Sequence, residues 1–333
     1  MEDYIETKAL EGAESEKATE QMTTDKNGQK PKKKKGRLKR VIAWIIAVIL
    51  IIGSLLVAAY PFISDWWNNL GTEKEIVQYL DYIAEPPANK YLPLIEAARE
   101  YNKKLVDWPI NGDPFTQLIE EPDGYYEQLS IPETDVMATI RIPKINANLA
   151  VFHGTTSDVL SHGVGHVAYS SLPVGGEGCH SVLSAHTGYA NQRFFSDLNQ
   201  MGIGDVFFIN CFGEEMAYKV SRIDVVEPED SSLLQIDPDK DYCTLVTCTP
   251  FGINTHRLLV RGERCEIEDA NEIEEETEVA QSTWDREYIK AILLGLAVMG
   301  LILLIFIIIR LIAGAIGKKK RKKKEEYDSK RKT

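Results

Sequence analysis

Hydrophobic and polar positions follow three different periods along this chain. Val41 to Ile63 and Ala291 to Ile309 are almost uninterrupted apolar residues, each close to the ~20 residues a helix needs to cross a bilayer core. From Thr72 to Trp108 the apolar residues recur at helical spacing: Ile76, Tyr79, Leu80 and Ile83, then Leu94, Ile95, Ala98, Tyr101 and Leu105. That spacing predicts two amphipathic helices separated by Pro86-Pro87. The connector from Pro109 to Phe115 has no period, and on that ground alone reads as a surface loop. From Met137 the period becomes two, with short runs at 138–142, 149–152, 181–183, 206–209, 217–220, 222–226, 242–247 and 257–260, punctuated by Gly, Pro, Asp and Asn. Such runs predict an all-β sandwich or barrel. One helical turn fits near Phe194 to Met201. Past Gly262 the chain turns acidic and predicts a solvated stalk over 263–289 that leads to the second apolar stretch. The resulting division is a tail over 1–40, a span over 41–63, a helical region over 64–136, a β domain over 137–262, the stalk, a span over 290–316 and a tail over 317–333.

Charge sets the expected topology. Lys30 to Arg40 carries eight Lys or Arg, and Lys318 to Lys324 is seven in a row, each run abutting the outer end of its apolar stretch. The positive-inside rule then places both termini in the cytoplasm and everything between the spans outside, in a two-pass protein of the cell membrane. Tyr60, Phe62, Trp66 and Trp67 after the first span, and Trp284 and Tyr288 before the second, read as aromatic belts at the interface. A cleaved signal peptide is the competing reading of the first span, with small residues at Val57-Ala58-Ala59; its length favours a retained anchor. Residues 1–40 hold 11 basic and 8 acidic side chains and residues 318–333 hold 10 and 3, so the middle keeps 17 basic and 39 acidic, near −22 within a net charge of −12. A surface that acidic argues against a nucleic-acid partner, whose binders carry basic stripes.

The chemistry is concentrated at strand ends. Thr244-Leu245-Val246-Thr247-Cys248-Thr249-Pro250 reads as a buried strand that presents a thiol just before a ladder-breaking proline. Ser181 to Ser184 leads in the same way to His186. A thiol, an imidazole and a guanidinium are the parts of an acyl-transfer site: nucleophile, proton carrier and oxyanion stabiliser. Arg257 and Arg261 lie on one strand and one face, and spacing alone does not separate them. His153, His162, His166 and His180 sit in Gly-rich stretches and read as surface or turn residues, and His256 points away from Arg257. Cys243 and Cys248, five apart on one strand, face opposite ways and should not pair. Cys179, Cys211, Cys243 and Cys265 are expected to be mostly buried free thiols, although an exported region leaves disulfides open. With no Cys-x-x-Cys pair, neither a metal nor another cofactor is expected. Gly175-Gly176-Glu177-Gly178 precedes a strand and reads as a hairpin turn, not a phosphate loop.

From about Ile140 to Gly262 the chain closely resembles the sortases, and among them the class C, pilin-polymerising group. The resemblance rests on Ile142-Pro143-Lys144-Ile145, His153-Gly154-Thr155, Gly163-Val164-Gly165-His166, Ser171 to Gly176, Ser184-Ala185-His186-Thr187-Gly188, and Thr244 to Pro250 running on to Asn254-Thr255-His256-Arg257. It implies a mainly β fold, a closed eight-stranded barrel with N-terminal helices and two flanking transmembrane helices. It also implies Cys248 as nucleophile, His186 as proton donor and acceptor, and Arg257, not Arg261, as the essential arginine. The second span and Asp113-Pro114-Phe115, which is similar to the lid of class C enzymes despite Phe115 standing where tryptophan is usual, point to that class. The lid loop would cover 109–116. The implied partners are pilins or surface proteins bearing Leu-Pro-x-Thr-Gly-like sorting signals, with cleavage between Thr and Gly and transfer to a lysine. Three alternatives remain: a cell-wall precursor peptide as acceptor, water as acceptor, and a non-enzymatic, membrane-tethered adhesion or scaffold module.

Overall fold

The computed structural model describes residues 35–84, 90–106, 109–110, 112–115, 122–189 and 192–330. The basic tail up to residue 34, Pro86-Pro87, and Asn111 and Thr116 of the connector lie outside the described residues. The chain divides into two units, one ending at Ala59 and the other beginning at Tyr60. Helix α1, Lys35–Ile83, runs through Pro61, so the shift from apolar to amphipathic sequence near residue 64 marks a change of surroundings and not a helix end. Within the second unit Ile76 and Tyr79 are buried while Leu80 turns outward. The Tyr79 hydroxyl accepts the Phe212 backbone N–H at 2.7 Å, tying the helix to a barrel turn. Helix α2, Leu92–Asn102, starts with a proline in its first turn and buries Ile95, Ala98 and Tyr101, the face its periodicity predicts. Asn102 closes it by donating to the Leu172 carbonyl at 3.1 Å and accepting from the Leu172 N–H at 2.8 Å. Trp44–Ile83 and Thr283–Gly317 are each long and apolar enough to cross a membrane, with mean hydropathy 2.6 and 3.3.

Eight strands close into a barrel: β1 Val136–Ile142, β2 Ala147–His153, β3 Val164–His166, β4 Cys179–Ser184, β5 Val206–Cys211, β6 Glu214–Val226, β7 Asp241–Thr249 and β8 His256–Cys265. Their order around the barrel is β1-β2-β3-β4-β7-β8-β6-β5. The β2–β3 and β4–β7 pairs are parallel and the rest antiparallel. The one-turn helix α3, Ser157–His162, makes the β2–β3 crossover, with the Thr156 side chain capping it. Two runs expected as separate strands are a single β6, whose register slips between Val220 and Arg222; that bulge reverses the inside–outside alternation and makes one strand look like two. Gly262 faces it. A Cβ there would lie 2.7 Å from the Phe207 ring and 2.8 Å from the Tyr218 Cβ, and those two rings stack at 5.5 Å over the gap.

The acidic segment is not a free stalk. Strand β8 continues to Cys265, and Ile267–Glu276 forms helix α4. Ala270 is fully buried, and Ile267 and Ile273 pack with it against Val206, Phe208 and Ala217. A three-residue apolar stripe hidden among carboxylates therefore seats this helix on the barrel. Arg141 adds an ion pair to Glu274 and lies over the Phe208 ring at 4.1 Å. Helix α5, Thr283–Lys330, then carries the second apolar stretch.

Candidate active site

Alternation along β4, β7 and β8 sorts their side chains into two sets. Leu183, Ala185, Cys243, Leu245, Leu258 and Val260 join the large cluster inside the barrel. Val182, Val246 and Leu259 face the other way, into a second cluster with Ile110, Tyr169 and Leu234. Cys248 and Arg257 belong to this second face and stand directly opposite each other across β7–β8, four residue pairs beyond Thr244 and Arg261. Geometry thus separates the two arginines: Arg257 is the cross-strand neighbour of the thiol, and Arg261 lies over the Tyr242 ring at 4.3 Å. The parallel β4–β7 register, Ser184 with Val246, is prolonged by the Ala185 N–H donating to the Val246 carbonyl at 3.1 Å and by the Thr247 hydroxyl donating to the Ala185 carbonyl at 2.7 Å. Counted two residues on from Ser184 and Val246, that register runs to His186 on one segment and Cys248 on the other.

The connector from Pro109 to Phe115 covers this face. Its base is sunk in the second cluster, where Ile110 is buried. The Gln235 amide donates to the Ile110 carbonyl at 2.8 Å and accepts its N–H at 3.3 Å, and the Ser231 hydroxyl donates to the same carbonyl at 2.7 Å. Further on, Asp113 takes both branches of the Arg257 guanidinium, Nε at 2.9 Å and Nη2 in an ion pair. Those two side chains are 5% and 10% exposed, so the pair is buried. The Phe115 N–H donates to the Asp113 carboxylate at 3.1 Å, and its ring lies 5.1 Å from the Arg257 guanidinium and 6.0 Å from the His186 ring. Asp113 and Phe115, far from the barrel in sequence, are thus brought onto Arg257 and His186.

Burial dominates the titration of both reactive groups. It pushes the Cys248 thiol up, against the pull of Arg257 and with a further push from Asp113, and it pushes the His186 imidazole down. With the connector in place both are neutral near pH 7.

A sortase domain model matches residues 140–265. Sortase D of Bacillus subtilis (strain 168) is 31% identical over 137 residues, 40% of this chain and 66% of that protein. Among solved structures, Sortase C1 of GBS Pilus Island 1 is 33% identical with a TM-score of 0.54, over 59% of this chain and 92% of that one. Sortase C-1 from Actinomyces oris is 40% identical with a TM-score of 0.51, over 54% of this chain and 99% of that one. The chain belongs to the sortase family.

Family members are cysteine transpeptidases, and the structural neighbours of this sortase include class C enzymes such as the two above. Its closed eight-stranded barrel is the sortase fold. Two of the other histidines do not sit where Gly-rich sequence suggested, whereas His162 is exposed as expected. His166 is on β3 and His180 on β4, both fully buried: the glycine beside His166 serves close strand approach instead of a turn, and the turn at Gly175–Gly178 ends before His180, which lies within the strand that follows it. A Cβ on Gly165 would collide with the Gly154 carbonyl. Burial drives His166 down to about 3 and His180 to about 4, so both are neutral. His166 Nε2 donates to the Ser171 carbonyl at 2.8 Å, leaving Nδ1 to accept from the Tyr125 hydroxyl at 2.9 Å. His180 Nδ1 donates to the Gln235 carbonyl at 2.9 Å, and its Nε2 accepts from the Thr244 hydroxyl at 2.7 Å. These are satisfied structural histidines; His180 steadies the residue that grips Ile110. All five cysteines are free: Cys179, Cys211 and Cys243 are buried, while Cys265, expected among them, is half-exposed at the end of β8.

Proposed function

We infer that this sortase is a membrane-anchored transpeptidase that joins pilin subunits through Cys248. The thiolate attacks the Thr carbonyl of a Leu-Pro-x-Thr-Gly-like signal, Arg257 holds the developing oxyanion, and His186 protonates the departing Gly amine. A lysine amine of the next subunit then displaces the thioester and forms an isopeptide bond, regenerating the thiol. The observation that carries this reading is the cross-strand pairing of Cys248 with Arg257 under a connector that occupies the guanidinium. A lid that blocks the oxyanion donor suits an enzyme whose acyl-enzyme must await a protein amine instead of water. The pilus-related class C neighbours favour a pilin partner, and basic runs beside both apolar helices favour cytoplasmic termini with the barrel outside. Tethering in the membrane that holds unassembled substrates raises their effective concentration. Incubating the full chain in detergent with a pilin that bears the signal is expected to give a ladder of covalent oligomers on a denaturing gel. A single product with a cell-wall peptide, and no ladder, would instead assign the anchoring reaction.

The reactive thiolate–imidazolium form is a minority when burial holds the thiol high and the imidazole low. The rate should therefore follow a bell whose limbs belong to the coupled pair, one below and one above the ordinary range of its group. Asp113→Ala removes a nearby anion and lets water in. Both changes favour the thiolate, so the alkaline limb should move to lower pH in a steady-state peptide assay. His186→Asn should abolish the alkaline fall. An alkaline limb unmoved in Asp113→Ala would disconnect the connector from the thiol.

A further inference from the structure

The imidazole of His186 is held differently from that of a serine or cysteine triad, in which a carboxylate or amide fixes one ring nitrogen. Among the described residues no hydrogen bond reaches either nitrogen of this ring; it is held by aromatic faces. Tyr189 stacks on it at 5.3 Å with the planes 9° apart, and Phe115 lies at 6.0 Å, tilted by 32°. Phe115 belongs to the connector that must leave before a substrate enters. Tyr189 is then the remaining support of the imidazole.

What fixes Tyr189 comes from the far end of the chain. The indole Nε1–H of Trp284 donates to the Tyr189 carbonyl at 3.1 Å. Trp284 lies in the first turn of α5 and is fully buried, although its place beside an apolar span predicts a half-wet interfacial ring. The Asp197 carboxylate caps that turn by accepting the N–H groups of Thr283 at 2.6 Å and Trp284 at 3.2 Å. Phe62 of α1 meets the indole edge-on at 5.4 Å, and Tyr288 lies 4.5 Å away. Arg193, four residues past Tyr189, donates to Asp65 of α1 at 3.1 Å and to Asp285 of α5 at 3.1 Å, and its guanidinium lies 5.4 Å from the Trp284 ring. Both membrane-type helices therefore grip the loop that follows His186.

The geometry points to Tyr189 and Trp284 as positioning residues for His186: the membrane-proximal turn of α5 sets the orientation of the imidazole through the Tyr189 stack. This inference rests on His186 being the proton carrier. It adds that the second membrane helix is part of the machinery and not only an anchor.

The test compares three variants of the full chain in detergent micelles. Trp284→Phe keeps an aromatic ring but removes the N–H, Tyr189→Phe keeps the stacking face, and Tyr189→Leu removes it. Two quantities are read: the ring-proton NMR shifts of His186, which a stacked phenol moves upfield, and kcat and KM on a sorting-signal peptide. In wild type and Tyr189→Phe the His186 signals should lie upfield, and in Trp284→Phe and Tyr189→Leu they should move toward free imidazole. Trp284→Phe should lower kcat about threefold to tenfold, the range set by one neutral hydrogen bond, with KM unchanged. Tyr189→Leu should lower it by about tenfold, and Tyr189→Phe should match wild type. Unmoved His186 shifts in both Trp284→Phe and Tyr189→Leu would overturn the inference. The NMR readout needs no turnover, so it stands even where the peptide is not a substrate; inactivity of the wild type on every sorting signal would count against the proposed function instead.

Discussion

Arg257→Lys is expected to reduce the acylation rate on the order of 10²-fold, the scale of losing one oxyanion donor, although the positive charge is kept. The planar guanidinium reaches its partner through two N–H branches, as it does toward Asp113, and a lysine offers a single point charge on a flexible stem. The same change loosens the connector and so exposes the thiol, which would partly mask the loss. The comparison therefore belongs in an Asp113→Ala background, where the connector is already released, with acylation followed in a single turnover. Arg261→Lys is the control. It stands opposite Thr244, four residues or roughly 13 Å of strand from Arg257, and should change the rate less than about twofold. A crippled Arg261→Lys beside a nearly silent Arg257→Lys would reverse the assignment.

The second large effect is expected in the connector. Were the Asp113–Arg257 pair exposed it would contribute only about 0–1 kcal/mol, and Phe115 would dominate closure. The pair is buried. Removing one partner from a buried ion pair costs about 3–5 kcal/mol because the other charge is stranded, whereas an aromatic contact contributes about 0.5–1.5 kcal/mol. Asp113→Ala should therefore open the connector more than Phe115→Ala does. Modification of Cys248 by a small thiol reagent should accelerate by up to about 100-fold in Asp113→Ala and by about threefold to tenfold in Phe115→Ala. The four other thiols supply an internal control, because three of them are buried in the barrel. Equal labelling in wild type and the double variant would reduce this segment to an ordinary surface loop.

The strand ends that carry Cys248 and Arg257 were legible because each run is short and apolar and stops at a proline or a turn, and the family motifs then separated Arg257 from Arg261. Their direct pairing across β7–β8 was not legible, since register depends on a turn whose shape a period does not specify. Strand β3 escaped because Val164-Gly165-His166 is too short to show a period and its glycines imitate a turn. Helix α4 escaped because its carboxylates outnumber the Ile267, Ala270 and Ile273 stripe. The connector shows no period at all, and only the Asp113-Pro114-Phe115 motif marked it. Tyr189 and Trp284 left no mark: they are 95 residues apart, and a tryptophan beside an apolar span reads as an interfacial ring until its burial is seen.

Intact-mass measurement of the full chain, incubated with a sorting-signal peptide and no amine, decides whether Cys248 forms a thioester with the substrate. The expected product is a covalent adduct equal to the peptide truncated after its Thr, mapped to Cys248, absent from Cys248→Ala and discharged when a lysine-bearing pilin segment is added. An adduct that persists in Cys248→Ala, or a peptide cleaved with no adduct ever trapped at Cys248, would contradict it.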